Sequence, residues 1–472
     1  MKTALTTAGM RTLPGLARPL ALGLCAALLT AGLIPEAEAG PRRSIRRRHD
    51  QVVMEGKDVK PMLGLKIENL RLLALSGSEL ETIPFQIDER TPAGNYAFSK
   101  GSDTKRDTDG GSFDANDELV FMVRDSGGKA DPGQLEALWK VVEIEVTDPL
   151  DKRKGWVYLA AYKTDPPALS KVDYVSISFN ENGLLTYNGK GFILDNARAL
   201  GNAVRTTTLR FQTKDGQFGP NLADSTKTRT ELYYFAIPIR RNGTEMRVSI
   251  GAWIDGPVRV VALNVVEIYL IWGFWVRAPN SLIFFYDYGS EMPTNINMPV
   301  NVDQSPESGA RLSLDLSPRA KGWFFYSDKN PSPLALDGKP NARKEKLDMS
   351  FPDWVVIYGP EGGVIRRMTF DKEIRKASKL YFVDDVKKED APENEKGSFG
   401  NTGFVVNLTG LKSKVYQGTY YTYYKANFRY GDEKRYLQIH SSPLVAKASL
   451  PGAAKPADDK SGSSGEATKP GQ

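Results

Sequence analysis

Residues 258–286 read VRVVALNVVEIYLIWGFWVRAPNSLIFFY, and the reading of this stretch decides the fold. It is strongly hydrophobic, yet Asn264, Glu267, Arg277, Pro279 and Asn280 interrupt it. No apolar run in it approaches the roughly 18 residues that would cross a bilayer as a helix. β-Branched and aromatic side chains crowd it, Gly273 breaks it, and Arg277-Ala278-Pro279-Asn280 reads as a turn. The pattern predicts three strands with both sheet faces covered, because a strand with one wet face would alternate apolar and polar residues. It is the expected centre of the larger core.

The same character extends outward. Residues 65–75, 118–124, 139–146, 156–162 and 174–179 before it, and 403–408, 419–430 and 436–439 after it, are short apolar runs separated by Gly, Pro, Asp and Asn. Arg241-Asn242-Gly243 lies between two further runs and signals a hairpin, since Asn and Gly tolerate positive φ. Only residues 371–380, around Ile374, suggest a short helix. The fold class is therefore all-β. Two β-sandwich-like domains are expected, residues 51–165 and the larger 170–445, with Pro166 and Pro167 marking the join.

The ends read differently. Lys2, Arg11 and Arg18 precede an apolar run over residues 20–34 that closes in Ala37-Glu38-Ala39, the pattern of a signal peptide over residues 1–39. The mature chain is then expected to be exported, periplasmic or extracellular, with no transmembrane segment. Residues 40–50 carry Arg42, Arg43, Arg46, Arg47 and Arg48 and read as a basic flexible arm, and residues 446–472 read as a disordered tail poor in apolar side chains.

Composition excludes several chemistries. Cys25 is the only cysteine of the 472 residues and falls in the signal segment, so the mature chain has no disulfide or thiolate chemistry. His49 and His440 are the only histidines, too few for a histidine metal cluster and unfavourable for a Ser-His-Asp triad. The net charge of +6 is mild and does not mark a nucleic-acid binder. No phosphate-cradling glycine loop, dinucleotide fingerprint or nucleophile elbow is present.

Three constellations remain. Asp107, Asp109, Asp114 and Glu118 sit in an Asp/Gly-rich loop that partly matches a calcium loop, in which closely spaced carboxylates replace the water shell of a hard cation; a solvated loop is the alternative. In the run Gly418-Thr-Tyr-Tyr-Thr-Tyr-Tyr-Lys-Ala-Asn-Phe-Arg-Tyr430, alternation places Tyr421 and Tyr423 on one face of a strand and Tyr420, Thr422 and Tyr424 on the other. Exposed Tyr421 and Tyr423 with Asn427 and Arg429 could form a carbohydrate platform; cross-strand pairing that stabilises the sheet is the alternative. His440 with Tyr423 and Arg435 could supply the base and charge stabiliser of a polysaccharide lyase.

Ile83-Pro-Phe-Gln-Ile-Asp-Glu89, Asp117-Glu-Leu-Val-Phe121 and Asp255-Gly-Pro-Val-Arg259 resemble segments of secreted bacterial β-supersandwich proteins related to galactose mutarotases and polysaccharide-lyase accessory families. The resemblance implies a sandwich fold and a glycan ligand, and no catalytic residue is carried over from it. The expected function is non-catalytic binding of a polysaccharide or another cell-envelope component. A polysaccharide lyase or glycoside hydrolase, and an envelope structural or assembly factor, are the alternatives.

Overall fold

The computed structural model describes residues 43–452 apart from 103, 105–106, 180–183, 199–203, 235–236, 270–274, 278, 299–307 and 393–396. Strands dominate it, and they pair antiparallel in sheets of three, four, five, five and eleven.

Alternation along single strands explains how the sheets stack. In the strand Glu118–Met122, Leu119 and Phe121 join a core with Leu72, Ile144 and Leu159, whereas Val120 and Met122 join another with Val261 and Phe284. Successive side chains of a strand point to opposite faces, so this one is buried on both. The three-stranded sheet of Gln51–Glu55, Glu118–Met122 and Phe85–Asp88 thus lies between an N-terminal five-stranded sheet and the eleven-stranded one. In the strand Val260–Tyr269 the device recurs: Val261 faces that second core, and Val260 and Ala262 face a third with Phe192, Leu314 and Trp323. The third core is closed by two sheets. One holds the strands Ser176–Phe179, Leu185–Gly189, Phe192–Arg198 and Val204–Phe211; the other holds, in spatial order, Ile237–Asn242, Ala223–Tyr234, Gly309–Leu316, Ser398–Asn407 and Ser378–Asp385.

The opening stretch forms the strands Val260–Tyr269, Trp275–Arg277 and Ser281–Tyr286; the first and third place residues in cores on both faces as expected, whereas Arg277 is exposed. The last two pair end to end along the first, so Trp275–Arg277 and Ser281–Tyr286 run in the same direction where a turn between them was expected. Gly273 lies outside the described residues. Residues 371–380 supply the short helix Lys372–Ala377, capped by Asp371, whose side chain accepts from the Ile374 N–H.

Four local expectations are corrected. Residues 436–439 are no strand: Glu433–Ser441 is a helix that buries Glu433, Tyr436 and Ile439, which repeat at the three-residue spacing of one helix face. Residues 67–69 form a 3₁₀ turn ahead of the strand Leu70–Ser76. The supposed basic arm is packed from Arg43 to Asp50. Ile45 is in the core, and Arg47 donates to the carbonyls of Gln438 (3.0 Å) and Ser442 (2.5 Å) at the end of that helix, where a cation is favoured, while pairing with Asp50. Residues 446–449 belong to the strand Val445–Ser449, which pairs with Lys140–Thr147 and closes the N-terminal sheet. The rest of the expected tail, beyond Gly452, and the expected signal peptide lie outside the described residues. The described residues form one compact unit in which the N-terminal sheets keep a core of their own. No helix among the described residues is long and apolar enough to cross a membrane.

Candidate functional site

The three segments that carried the family resemblance meet in space. Gln86 and Asp88 are on the strand Phe85–Asp88, whose partner Glu118–Met122 places Glu118 opposite Asp88. Arg259 enters between them: its Nε donates to Asp88 Oδ2 at 2.8 Å and its Nη2 to Glu118, which also accepts from Tyr96 Oη at 2.8 Å and pairs with Arg90 at 3.0 Å. The Gln86 amide oxygen accepts the backbone N–H groups of Val258 (3.0 Å) and Arg259 (2.9 Å). Every member except Arg90 is buried, so the motifs form an internal clamp between sheets.

This arrangement removes Glu118 from the calcium loop. Its carboxylate is turned into the sheet, since the strand begins there and its neighbours Asp117 and Leu119 face other ways. The loop still gathers acids. Oxygens of Asp107, Asp114 and Asp117 lie within 4.8 Å of one another, as do those of Glu89, Asp107 and Asp109. Burial raises Asp117 to about 6 although it accepts the N–H groups of Asp114 (2.9 Å) and Arg90 (2.8 Å). Burial, with the charges of Asp109, Asp107 and Asp114, raises Glu89 as well. Hard oxygens at this spacing suit calcium, with Glu89 and Asp117 in place of Glu118.

The tyrosine alternation on the strand Val415–Ala426 is as expected, but Tyr423 presents no open platform. Tyr423 is 1% exposed beneath the helix Glu433–Ser441, its ring 5.8 Å from Tyr436 and 6.2 Å from His440. Tyr421, half-buried, contacts His440 at 4.2 Å. Asn427 and Arg429 are exposed in the turn beyond the strand, where the Asn427 N–H donates to Glu361 O and the Arg429 N–H to Asp432, so the predicted carbohydrate set is not assembled. Arg435 is exposed on the helix and, among the described residues, contacts neither Tyr423 nor His440. Arg367 is the guanidinium beside this cluster, 5.9 Å from the centre of the Tyr421 ring. Sequence reasoning also missed Glu291, whose carboxylate lies 3.8 Å from His440 Nε2. Burial raises Glu291 to about 7, and burial with the Arg367 charge lowers His440 to about 4. At neutral pH an uncharged imidazole therefore faces a carboxyl balanced between its two forms. The Tyr423 hydroxyl beside them is buried with no hydrogen-bond partner among the described residues.

A second site was not anticipated. The outer face of the sheet that runs from Ile237–Asn242 to Ser378–Asp385 bears a cleft of about 720 Å³. Strand register sets Lys379, Val405, Arg311, Arg229 and Asn242 opposite one another on five successive strands. At about 4.8 Å per strand the row is about 19 Å long. Arg240, Arg241 and Tyr381 also line the cleft, and the Arg311 guanidinium lies 4.3 Å from the Tyr381 ring centre. Five cations face three carboxylates: Glu231 pairs with Arg240 at 2.7 Å, Glu245 with Arg241 at 3.7 Å, and Asp390 with Arg229 (3.0 Å) and Arg311 (2.6 Å). Burial alone would raise Asp390, but hydrogen bonding to Arg311 and the surrounding cations hold it below the usual range. Lys227, Arg229 and Glu231 recur at period two, a signal that this face is charged. Which strands lie beside it was not legible from one segment.

No protein-family model matches the chain, and no curated protein is similar to it. Two solved structures align with 87% of it: an alpha-mannosidase from Enterococcus faecalis V583 (9% identity, 45% of that chain, TM-score 0.36) and a protein in the glycosyl hydrolase family 38 from Enterococcus faecalis (8% identity, 46% of that chain, TM-score 0.38). The chain spans less than half the length of either. Likeness at this level carries no argument about activity.

Proposed function

We propose that the protein is an exported, non-catalytic binder of an acidic polysaccharide, held along the outer face of the five-stranded sheet Ile237–Asn242 to Ser378–Asp385. The observation that carries this reading is the row of Lys379, Arg311 and Arg229 across that sheet. A polymer with a carboxylate on successive sugars offers repeated charges to such a row. Arginine meets carboxylates in a planar two-pronged geometry, and Tyr381 adds a ring on which a sugar face can stack. Asp390 already occupies the row as a carboxylate would.

Calorimetric titration of the protein with polygalacturonate, alginate and a neutral glucan tests the reading. Binding confined to the uronate polymers, and weakened at least ~10-fold by Arg311→Ala, is expected. Failure of every uronate polymer to bind overturns it. Release of unsaturated uronate products would favour the lyase reading instead, with Glu291, His440 and Tyr421 as the groups to test.

A further inference from the structure

Between the eleven-stranded sheet and the two sheets opposite it is a cavity of about 240 Å³. Leu185, Leu194, Ile250, Ile283, Met292 and Leu314 contribute apolar walls. One charged side chain lines it: Arg366, 3% exposed, whose Nη1 donates to the Thr402 carbonyl at 2.6 Å and whose Nε donates to the Tyr420 hydroxyl. A guanidinium has five N–H donors. Among the described residues no carboxylate pairs with it. Arg47, Lys227, Arg259 and Lys344, comparably buried, each meet one, and Arg71 turns to three carbonyls. A buried cation without a counter-ion is unfavourable, so Arg366 requires an explanation.

The surrounding polar groups supply one. Arg366, Thr422 and Ser290 lie opposite one another on three neighbouring strands, and all three line the cavity. The same register row continues through Phe285 to Val260. Asn264, four residues further along that strand, is 6% exposed and its side-chain oxygen has no partner among the described residues. The exposed residue Ser249 also lines the cavity, which places it within reach of the surface. One wall thus presents a cation followed by two hydroxyl-bearing residues, and the space beside it is apolar.

We infer that this cavity binds a small amphipathic carboxylate, such as a medium-chain fatty acid. The carboxylate sits on Arg366 with the hydroxyls of Ser290 and Thr422, and the alkyl chain lies among the leucine and isoleucine side chains. At ~25–30 Å³ per non-hydrogen group, the volume accommodates about eight or nine such groups, a carboxylate of about six or seven carbons. This site is separate from the polysaccharide face and does not depend on it.

Titration of the full chain with hexanoate and with hexanol tests the assignment. Hexanoate is expected to saturate one site and hexanol to bind at least ~10-fold more weakly, because only the acid forms a charge-assisted pair. Arg366→Met should reduce hexanoate affinity ~10-fold or more and leave hexanol unchanged. Ile283→Trp, which fills the cavity, should remove both. Equal affinity for the two amphiphiles, or no hexanoate binding at millimolar concentration, overturns the proposal. The comparison on the natural chain decides the matter even if Arg366→Met does not fold.

Discussion

The side-chain oxygen of Gln86 accepts the backbone N–H of Arg259 at 2.9 Å across 173 positions of sequence. The same oxygen accepts from Val258, and the Gln86 amide nitrogen donates to Asp88 Oδ1 at 2.7 Å, so one side chain aligns a turn and a carboxylate. Gly256 is part of the fit: a Cβ there would lie 2.2 Å from that oxygen. Gln86→Leu keeps the volume and leaves two buried N–H groups without an acceptor. We expect it to lower the unfolding free energy by about 2–4 kcal/mol. Arg259→Met, which leaves the buried Asp88 without its cation while Glu118 keeps Arg90, should cost about 3–5 kcal/mol. Urea denaturation measures both, and an unchanged midpoint for Gln86→Leu would show that the clamp contributes nothing.

The basic sheet face has its own signature in Asp390. This carboxylate neutralises part of the row that an acidic polymer would use. Asp390→Asn is therefore expected to tighten uronate-polymer binding by about 3–10-fold, and Arg311→Ala to weaken it. Added salt should weaken the attraction of the polymer for the row, although less than for fully exposed charges, since Arg311 and Asp390 are 13% and 14% exposed. Weaker binding by Asp390→Asn would mean that the loop orders the site and does not compete for it.

The Glu291 and His440 cluster predicts opposite pH dependences. Glu291 rises from 4.5 to about 7 on folding through burial. Between these values the folded state holds more protons than the unfolded one, so this group's contribution to stability falls as pH rises through the window. His440 drops from 6.5 to about 4, mainly through burial. The folded state then holds fewer protons, and this contribution falls as pH drops through 6.5 toward 4. Glu291→Gln should therefore flatten the loss between pH 4.5 and 7, and His440→Gln the loss between 6.5 and 4, each by roughly 1–3 kcal/mol. Denaturation midpoints measured across that range should separate the two variants. Curves parallel to that of the natural chain would contradict both assignments.

Calcium should act on the acidic loop. Placed among Asp107, Asp114, Asp117 and Glu89, the ion would relieve the mutual repulsion of these carboxylates and bind only the folded chain. Millimolar calcium is expected to raise the melting temperature by a few degrees, an effect removed by Asp107→Asn and kept by Glu118→Gln relative to its own calcium-free baseline. A melting temperature indifferent to both calcium and chelator would discard the site.

Local chemistry settled much of this protein in advance. The β-branched and aromatic runs, the two-faced burial of Val260–Tyr269, the opposite faces of Tyr420 and Tyr421, and the helix around Ile374 all follow from propensity and side-chain period. The absence of a disulfide within one chain follows from Cys25 being its single cysteine.

Tertiary structure decided the rest. Tyr436 and Ile439 suit a strand locally, yet they form a helix because packing against Tyr423 and its neighbours makes the three-residue spacing productive. Glu118 reads as one more loop acid until Arg259, 141 positions away, claims it. Lys379, Arg311 and Arg229 become a row only when four strands distant in sequence adopt one register, and Arg366 becomes conspicuous only when the space around it closes. Propensity acts over a few residues, whereas register and burial depend on which distant segments lie side by side. That choice is made by the packing of the whole core.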